Sequence, residues 1–149
     1  MPLSDTIQSD LVAAMRNKES LRLGTLRLMK TAVKNKEIEA RKALTDPEVQ
    51  SVLQTLVKQR RDAAEQFRKG GREELAGKEE DEIRIIETYL PEPANEEEIR
   101  AAIASAVRET GAQGPQDMGK VMKAVRDQLA GKTIDGKQVS TLVKETLQP

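Results

Sequence analysis

The sequence contains no cysteine, histidine or tryptophan, and its aromatic residues are Phe67 and Tyr89 alone. Each absence removes chemistry. Without cysteine there is no disulfide, no thiolate nucleophile and no thiolate-held zinc. Without histidine there is no imidazole base and no imidazole metal ligand. So few aromatics argue against a β-sandwich, whose strands draw on Tyr, Phe and Trp. No apolar run approaches the roughly 18 residues of a membrane span. The start, Met1-Pro2-Leu3-Ser4-Asp5, shows no basic flank ahead of an apolar stretch, so no secretory signal is expected. Together these absences lead us to expect a cytoplasmic, non-enzymatic protein with no cofactor, no metal and no membrane association.

What remains is aliphatic and charged. The hydrophobic set makes up 37% of the 149 residues and Asp, Glu, Lys and Arg 34%, so a core must be built from aliphatics and alanine on single helix stripes. An all-α fold follows, with an N-terminal bundle of about four helices over residues 1–90, a hinge at 91–94 and a small three-helix tail domain over 95–149. The first helix is expected to start at Ser4 as N-cap, with Ile7, Leu11, Ala14 and Met15 at helical spacing. The second runs from about Ser20 to Ala43 and buries Leu26, Met29, Val33 and Ala40, with Leu21 and Leu28 beside them. The third opens at Asp46-Pro47-Glu48, with Asp46 as N-cap, and places Val49, Leu53, Leu56, Val57, Ala64 and Phe67 in the core. Gly70-Gly71 ends it, and a fourth helix covers roughly Arg72 to Thr88. Pro91 and Pro93 then forbid a continuous helix. Asn95 with Glu98 gives a capping box for the fifth helix, which stops at Gly111. Helices from about Gln116 to Leu129 and from Gln138 to Leu147 complete the tail.

Charge is segregated although Lys+Arg and Asp+Glu are equal at 25 each. Arg16 to Lys42 holds nine basic and three acidic residues, a net +6, and Lys58 to Arg72 six against two, a net +4. Glu73 to Glu98 holds eleven acidic and two basic residues, a net −9. Arg27, Lys30, Lys34 and Arg41 fall on one helical stripe, as do Lys58, Arg61, Arg68 and Arg72. In the tail the cations are Lys120, Lys123, Arg126, Lys132, Lys137 and Lys144, near Gly119, Gly131 and Gly136, whose backbone N–H groups an anion could approach. Aligned cations attract phosphate and release counterions, which suits an RNA contact read by charge and shape. The competing reading is a solvated face that pairs with the acidic fourth helix.

Other motifs fail on inspection. Gly131-Lys132-Thr133 resembles the end of a phosphate-binding loop, but the position of the first required glycine is Arg126 and no strand precedes it. Glu79-Glu80-Asp81-Glu82 lies on a helix, whereas a calcium site needs a folded loop with a turn glycine. No serine stands in a nucleophile-elbow setting.

Several strings carry a resemblance. Leu26-Arg27-Leu28-Met29-Lys30 with Asn35-Lys36-Glu37-Ile38-Glu39, Lys58-Gln59-Arg60-Arg61-Asp62-Ala63 with Gly71-Arg72, and Glu79, Glu82 and Tyr89-Leu90-Pro91 appear in order. Met118-Gly119-Lys120-Val121-Met122, Gly131-Lys132, Asp135-Gly136 and Leu142-Val143-Lys144 follow. The set resembles the YqeY family over essentially the whole chain. That family is similar to the C-terminal part of the B subunit of the tRNA-dependent Asp/Glu amidotransferase and to a domain appended to some glutaminyl-tRNA synthetases. The resemblance implies a helical domain and a tail that contacts the outer corner of tRNA. It points to Lys120, Lys123, Lys132 and Lys137 as contacts; the charge pattern adds Arg126 and the bundle cations Arg27, Lys30, Lys34, Lys58, Arg61 and Arg72 as further tRNA-binding candidates. The expected partners are tRNA and an aminoacyl-tRNA synthetase or amidotransferase. Alternatives are a protein-interaction module docking through the acidic fourth helix, or an accessory to glutamine-dependent carbon–nitrogen ligation. The loop Gly131-Lys132-Thr133-Ile134-Asp135-Gly136 is one residue longer than the Gly-Lys-Ala-Asp-Gly that the family implies.

Overall fold

The computed structural model describes residues 1–148. Among them are seven α-helices, one 3-10 turn and no β-strand: α1 Leu3–Arg16, α2 Ser20–Ala40, α3 Asp46–Lys69, α4 Glu73–Glu87, α5 Glu96–Thr110, α6 Met118–Gln128 and α7 Gly136–Leu147. The fold is all-α. The chain divides into two compact units, the first ending at Leu90 and the second starting at Pro91.

In the first unit α3 and α4 pack along their length, α1 packs on α2, and α2 also touches α3 and α4. The core joins Ile7, Leu11 and Ala14 of α1 to Leu26, Met29 and Val33 of α2, Val49, Leu53 and Val57 of α3, and Ile83 and Ile86 of α4. These positions recur every three or four residues, so each helix contributes one stripe. Three expectations are corrected. Phe67 is only half-buried and stands outside the core cluster. Ala40 is exposed, because α2 ends there and the chain turns through a left-handed Arg41 with φ of 55°. Leu21 and Leu28 lie on the opposite side of α2 from the core and are 43% and 49% exposed.

Helix ends are set by short polar contacts. Thr45 caps α3: its hydroxyl accepts from the Glu48 N–H and the Glu48 carboxylate accepts from the Thr45 N–H, a complete capping box. Asp46, expected in that role, lies inside α3 and accepts instead from the Leu3 N–H at 2.9 Å. It thereby satisfies an orphan donor at the start of α1, whose N-cap is Pro2 and not Ser4.

In the second unit α5, α6 and α7 meet in one core, with Ile99, Ile103 and Ala106 against Val121, Val125 and Leu129, and Val139, Val143 and Leu147. Asn95 and Glu98 form the expected capping box at α5, and Gly111 ends that helix in the left-handed region at φ 67°, which favours glycine. A 3-10 turn, Pro115–Asp117, precedes α6, so the expected helix from Gln116 begins only at Met118. The segment read as a hinge is strapped into this unit. Thr133 donates its N–H to the Glu92 carbonyl at 3.2 Å and its hydroxyl to the Pro91 carbonyl at 2.8 Å, and accepts from the Ala94 N–H at 2.9 Å.

Candidate nucleic-acid interface

Which cations are free to meet a ligand is decided by where the carboxylates are. The α3 cations face the acids of α4. Arg60 lies against Glu82 at 2.9 Å with both side chains largely buried, and donates again to the Leu56 carbonyl at 3.1 Å. Arg61 pairs with Glu87 at 3.4 Å. Arg68 holds Glu73 and Glu80 together, and its hydrogen bonds to Glu80 push its guanidinium further up and the Glu80 carboxyl down. A groove of about 560 Å³ runs here, lined by Arg61, Arg68, Lys69 and Arg84 with Glu80 and Glu87. Its charges are already compensated, which makes it a poor place for phosphate. For Arg61 the competing reading of its stripe holds: it pairs with the acidic fourth helix.

The α2 stripe is different. Arg27, Lys30 and Lys34 are exposed, and among the described residues none of them has a carboxylate within ion-pair distance. Lys58 on α3 and Arg72 at the start of α4 are exposed and unpaired in the same sense.

In the tail, Val121 and Val125 point α6 into the core and leave Lys120, Lys123 and Arg126 on the outward side, three residues apart. None of the three is ion-paired among the described residues, and Asp127 is the one acid on that helix. Lys137 and Lys144 lie seven residues apart on the exposed side of α7, also without an acidic partner there. Lys132 does not join them. Its ammonium is bound to the Glu98 carboxylate, which raises the lysine and lowers the glutamate from their ordinary values. The backbone cradle expected at this loop is also occupied: the Lys132 N–H donates to Leu129, the Thr133 N–H to Glu92, and the Lys137 N–H to the Asp135 carboxylate at 3.0 Å. Gly131, at φ 92°, makes the turn itself.

One polar cluster had no sequence signal. The Tyr89 hydroxyl donates to Asp10 at 2.5 Å and accepts from Arg22 at 3.4 Å, tying the end of α4 to α1 and α2. Burial, followed by the bond to Asp10, raises the Tyr89 phenol above its ordinary value. The three residues lie far apart in the chain, and no local pattern joins them.

A family model described as Yqey-like protein matches residues 4–147. The chain belongs to the YqeY-like family. Among curated relatives, altered inheritance of mitochondria protein 41, mitochondrial, of Pyrenophora tritici-repentis is 30% identical over 95% of this chain and 78% of its own length. The protein of the same name from Kluyveromyces lactis is 34% identical over 87% and 70%. That from Vanderwaltozyma polyspora is 40% identical over 56% of this chain and 46% of its own length, so the match spans less than half of that relative. These relatives of the YqeY-like chain are named as mitochondrial, which overturns the cytoplasmic expectation. That expectation leaned on the missing cysteine and the missing secretory signal, and neither separates one cysteine-tolerant or reducing compartment from another. No helix is long and apolar enough to cross a membrane among the described residues.

Proposed function

We propose that this YqeY-like protein is a non-catalytic module that binds tRNA through the outward face of α6, either free-standing or beside an aminoacylation or transamidation enzyme. The observation that carries this reading is the contrast in pairing. Arg60, Arg61 and Arg68 of α3 are held by α4 carboxylates, whereas Lys120, Lys123 and Arg126 have no acidic partner among the described residues. Three adjacent uncompensated charges on a rigid helix gain from phosphate by counterion release without first breaking an internal pair. Lys137 and Lys144 extend the set on α7. Lys132 is assigned to holding Glu98, and Arg61 to the bundle. With no base-stacking aromatic on this face, recognition rests on backbone and shape. The rival reading, docking through the acidic α4, is weakened because Glu73, Glu80, Asp81, Glu82 and Glu87 already have basic partners.

The test is tRNA affinity as a function of salt for the full chain and for Lys120→Gln/Lys123→Gln/Arg126→Gln. Each lost phosphate contact lowers the slope of log affinity against log salt by about 0.7–0.9, so the triple variant should lose about two units of slope. An unchanged slope and affinity would sink the assignment.

A further inference from the structure

Helix α2 has two faces, and the core uses one. Thr25, Leu26, Met29 and Val33 are buried. On the far side Leu21, Leu28 and Ile38 are 43%, 49% and 67% exposed. Gly24, Thr31 and Asn35 complete the row, so that successive members from residue 21 to residue 38 alternate spacings of three and four. That is the seam of a helix that packs against another helix, with one small residue, Gly24, and two polar residues, Thr31 and Asn35, at inner positions. Arg27 and Lys34 sit at one flank of the seam, each directly preceding a member of it, with Lys30 behind them. As described above, all three lack an acidic partner among the described residues.

The flanking charge identifies the occupant. Phosphate alone would use the cations but gains nothing from three exposed aliphatics, so nucleic acid leaves half the face unexplained. A second copy of α2 laid antiparallel would set Arg27 and Lys34 against their own equivalents, a like-charge arrangement that costs affinity. Laid parallel, it would need acids on the other flank, where Thr25 is buried, Ala32 half-buried and Glu39 the one acid, already beside Lys36 at 3.8 Å, so most of the cations would go unmet. An acidic amphipathic helix satisfies both halves: its apolar stripe covers the leucines and its carboxylates meet the cations. We propose that the outward face of α2, with Leu21, Leu28 and Ile38 as apolar contacts and Arg27, Lys30 and Lys34 as charge contacts, docks an acidic amphipathic helix of a partner protein. This face is distinct from α6 and stands whether or not the tail binds tRNA.

The probe is a synthetic helical peptide with leucine at a three–four repeat and glutamate on both flanks, titrated into the isotopically labelled full chain. A scrambled peptide of equal composition serves as control. The expected result is binding of the patterned peptide at about 100 µM or tighter, with amide shifts concentrated in residues 20–40. Two variants, each checked for native helicity, separate the contributions. Leu21→Ser/Leu28→Ser and Arg27→Gln/Lys30→Gln/Lys34→Gln should each weaken the patterned peptide at least about tenfold, and the leucine variant should leave tRNA affinity unchanged. Equal binding of the scrambled peptide, no binding at all, or loss of tRNA affinity in the leucine variant would each overturn the proposal, the last by making the face an RNA surface.

Discussion

At the scale of single residues, position in the chain says little about which charges are available. Arg61 and Arg27 are both arginines on basic helical stripes, yet one is paired and the other is not, because Arg61 lies on the side of α3 that meets Glu87 of α4 whereas Arg27 lies on the exposed side of α2. Tyr89 makes the same point for a polar residue. Its hydroxyl links Asp10 and Arg22, and Tyr89→Phe removes a donor from Asp10 and an acceptor from Arg22. We expect a loss of about 1 kcal/mol in chemical denaturation. The phenol also sets an alkaline response. Its pKa is raised above the ordinary 10.0, so the folded state keeps the proton longer than the unfolded chain. The stabilisation is complete below the unfolded value and is lost as pH rises through the folded one. The wild type should therefore lose stability above about pH 10 more steeply than Tyr89→Phe, in denaturation midpoints measured from pH 8 to 11. Equal slopes would mean that Tyr89 does not titrate in a desolvated setting.

At the scale of elements, caps and periodicity were legible and second faces were not. Asn95 with Glu98 and the stops at Gly70 and Gly111 follow from local chemistry, and the structure has them. The start of α3 slips by one residue because Thr45 and Asp46 are both good capping residues. The capping box selects Thr45, and Asp46 is drawn to the Leu3 N–H, a partner 43 residues away. For α2 the difficulty is different in kind: the buried and exposed rows share the same three–four spacing, so the sequence offers two stripes and no means to choose. Leu21 and Leu28 were assigned beside the core on that ground. The capping box permits a direct check. Thr45→Ala should cost about 1 kcal/mol of bundle stability, while Asp46→Ala should loosen the start of α1, seen as faster amide exchange at Leu3 and its neighbours. The hydrogen bonds from Thr45, backbone first, lower the Glu48 carboxyl below its ordinary 4.5. Its contribution is then present above that value and lost as pH falls through the folded one. In Thr45→Ala the acid loss attributable to Glu48 should shrink.

At the scale of the molecule, the two units differ in length while their buried cores are alike in size, and the shorter unit is the one that carries the proposed binding face. The bundle core draws on four helices, the tail core on three short ones. A unit of roughly 60 residues buries a smaller share of its surface and holds only a few kcal/mol in reserve. Ile103 is 1% exposed at the centre of the tail core, and Leu53 is fully buried in the bundle. Truncating either to alanine costs about 2–5 kcal/mol. For the tail that approaches its whole stability, whereas the bundle has more to lose. Ile103→Ala should therefore erase the dispersed amide signals of residues 95–147 at 25 °C, while Leu53→Ala lowers the bundle's denaturation midpoint without unfolding it. The consequence for binding is graded. With α6 melted, Lys120, Lys123 and Arg126 keep their charge but lose their spacing, so tRNA affinity should fall in Ile103→Ala even though net charge is unchanged. If affinity survives the loss of tail structure, phosphate attraction needs only the charges and the ordered face on α6 is not what RNA recognises.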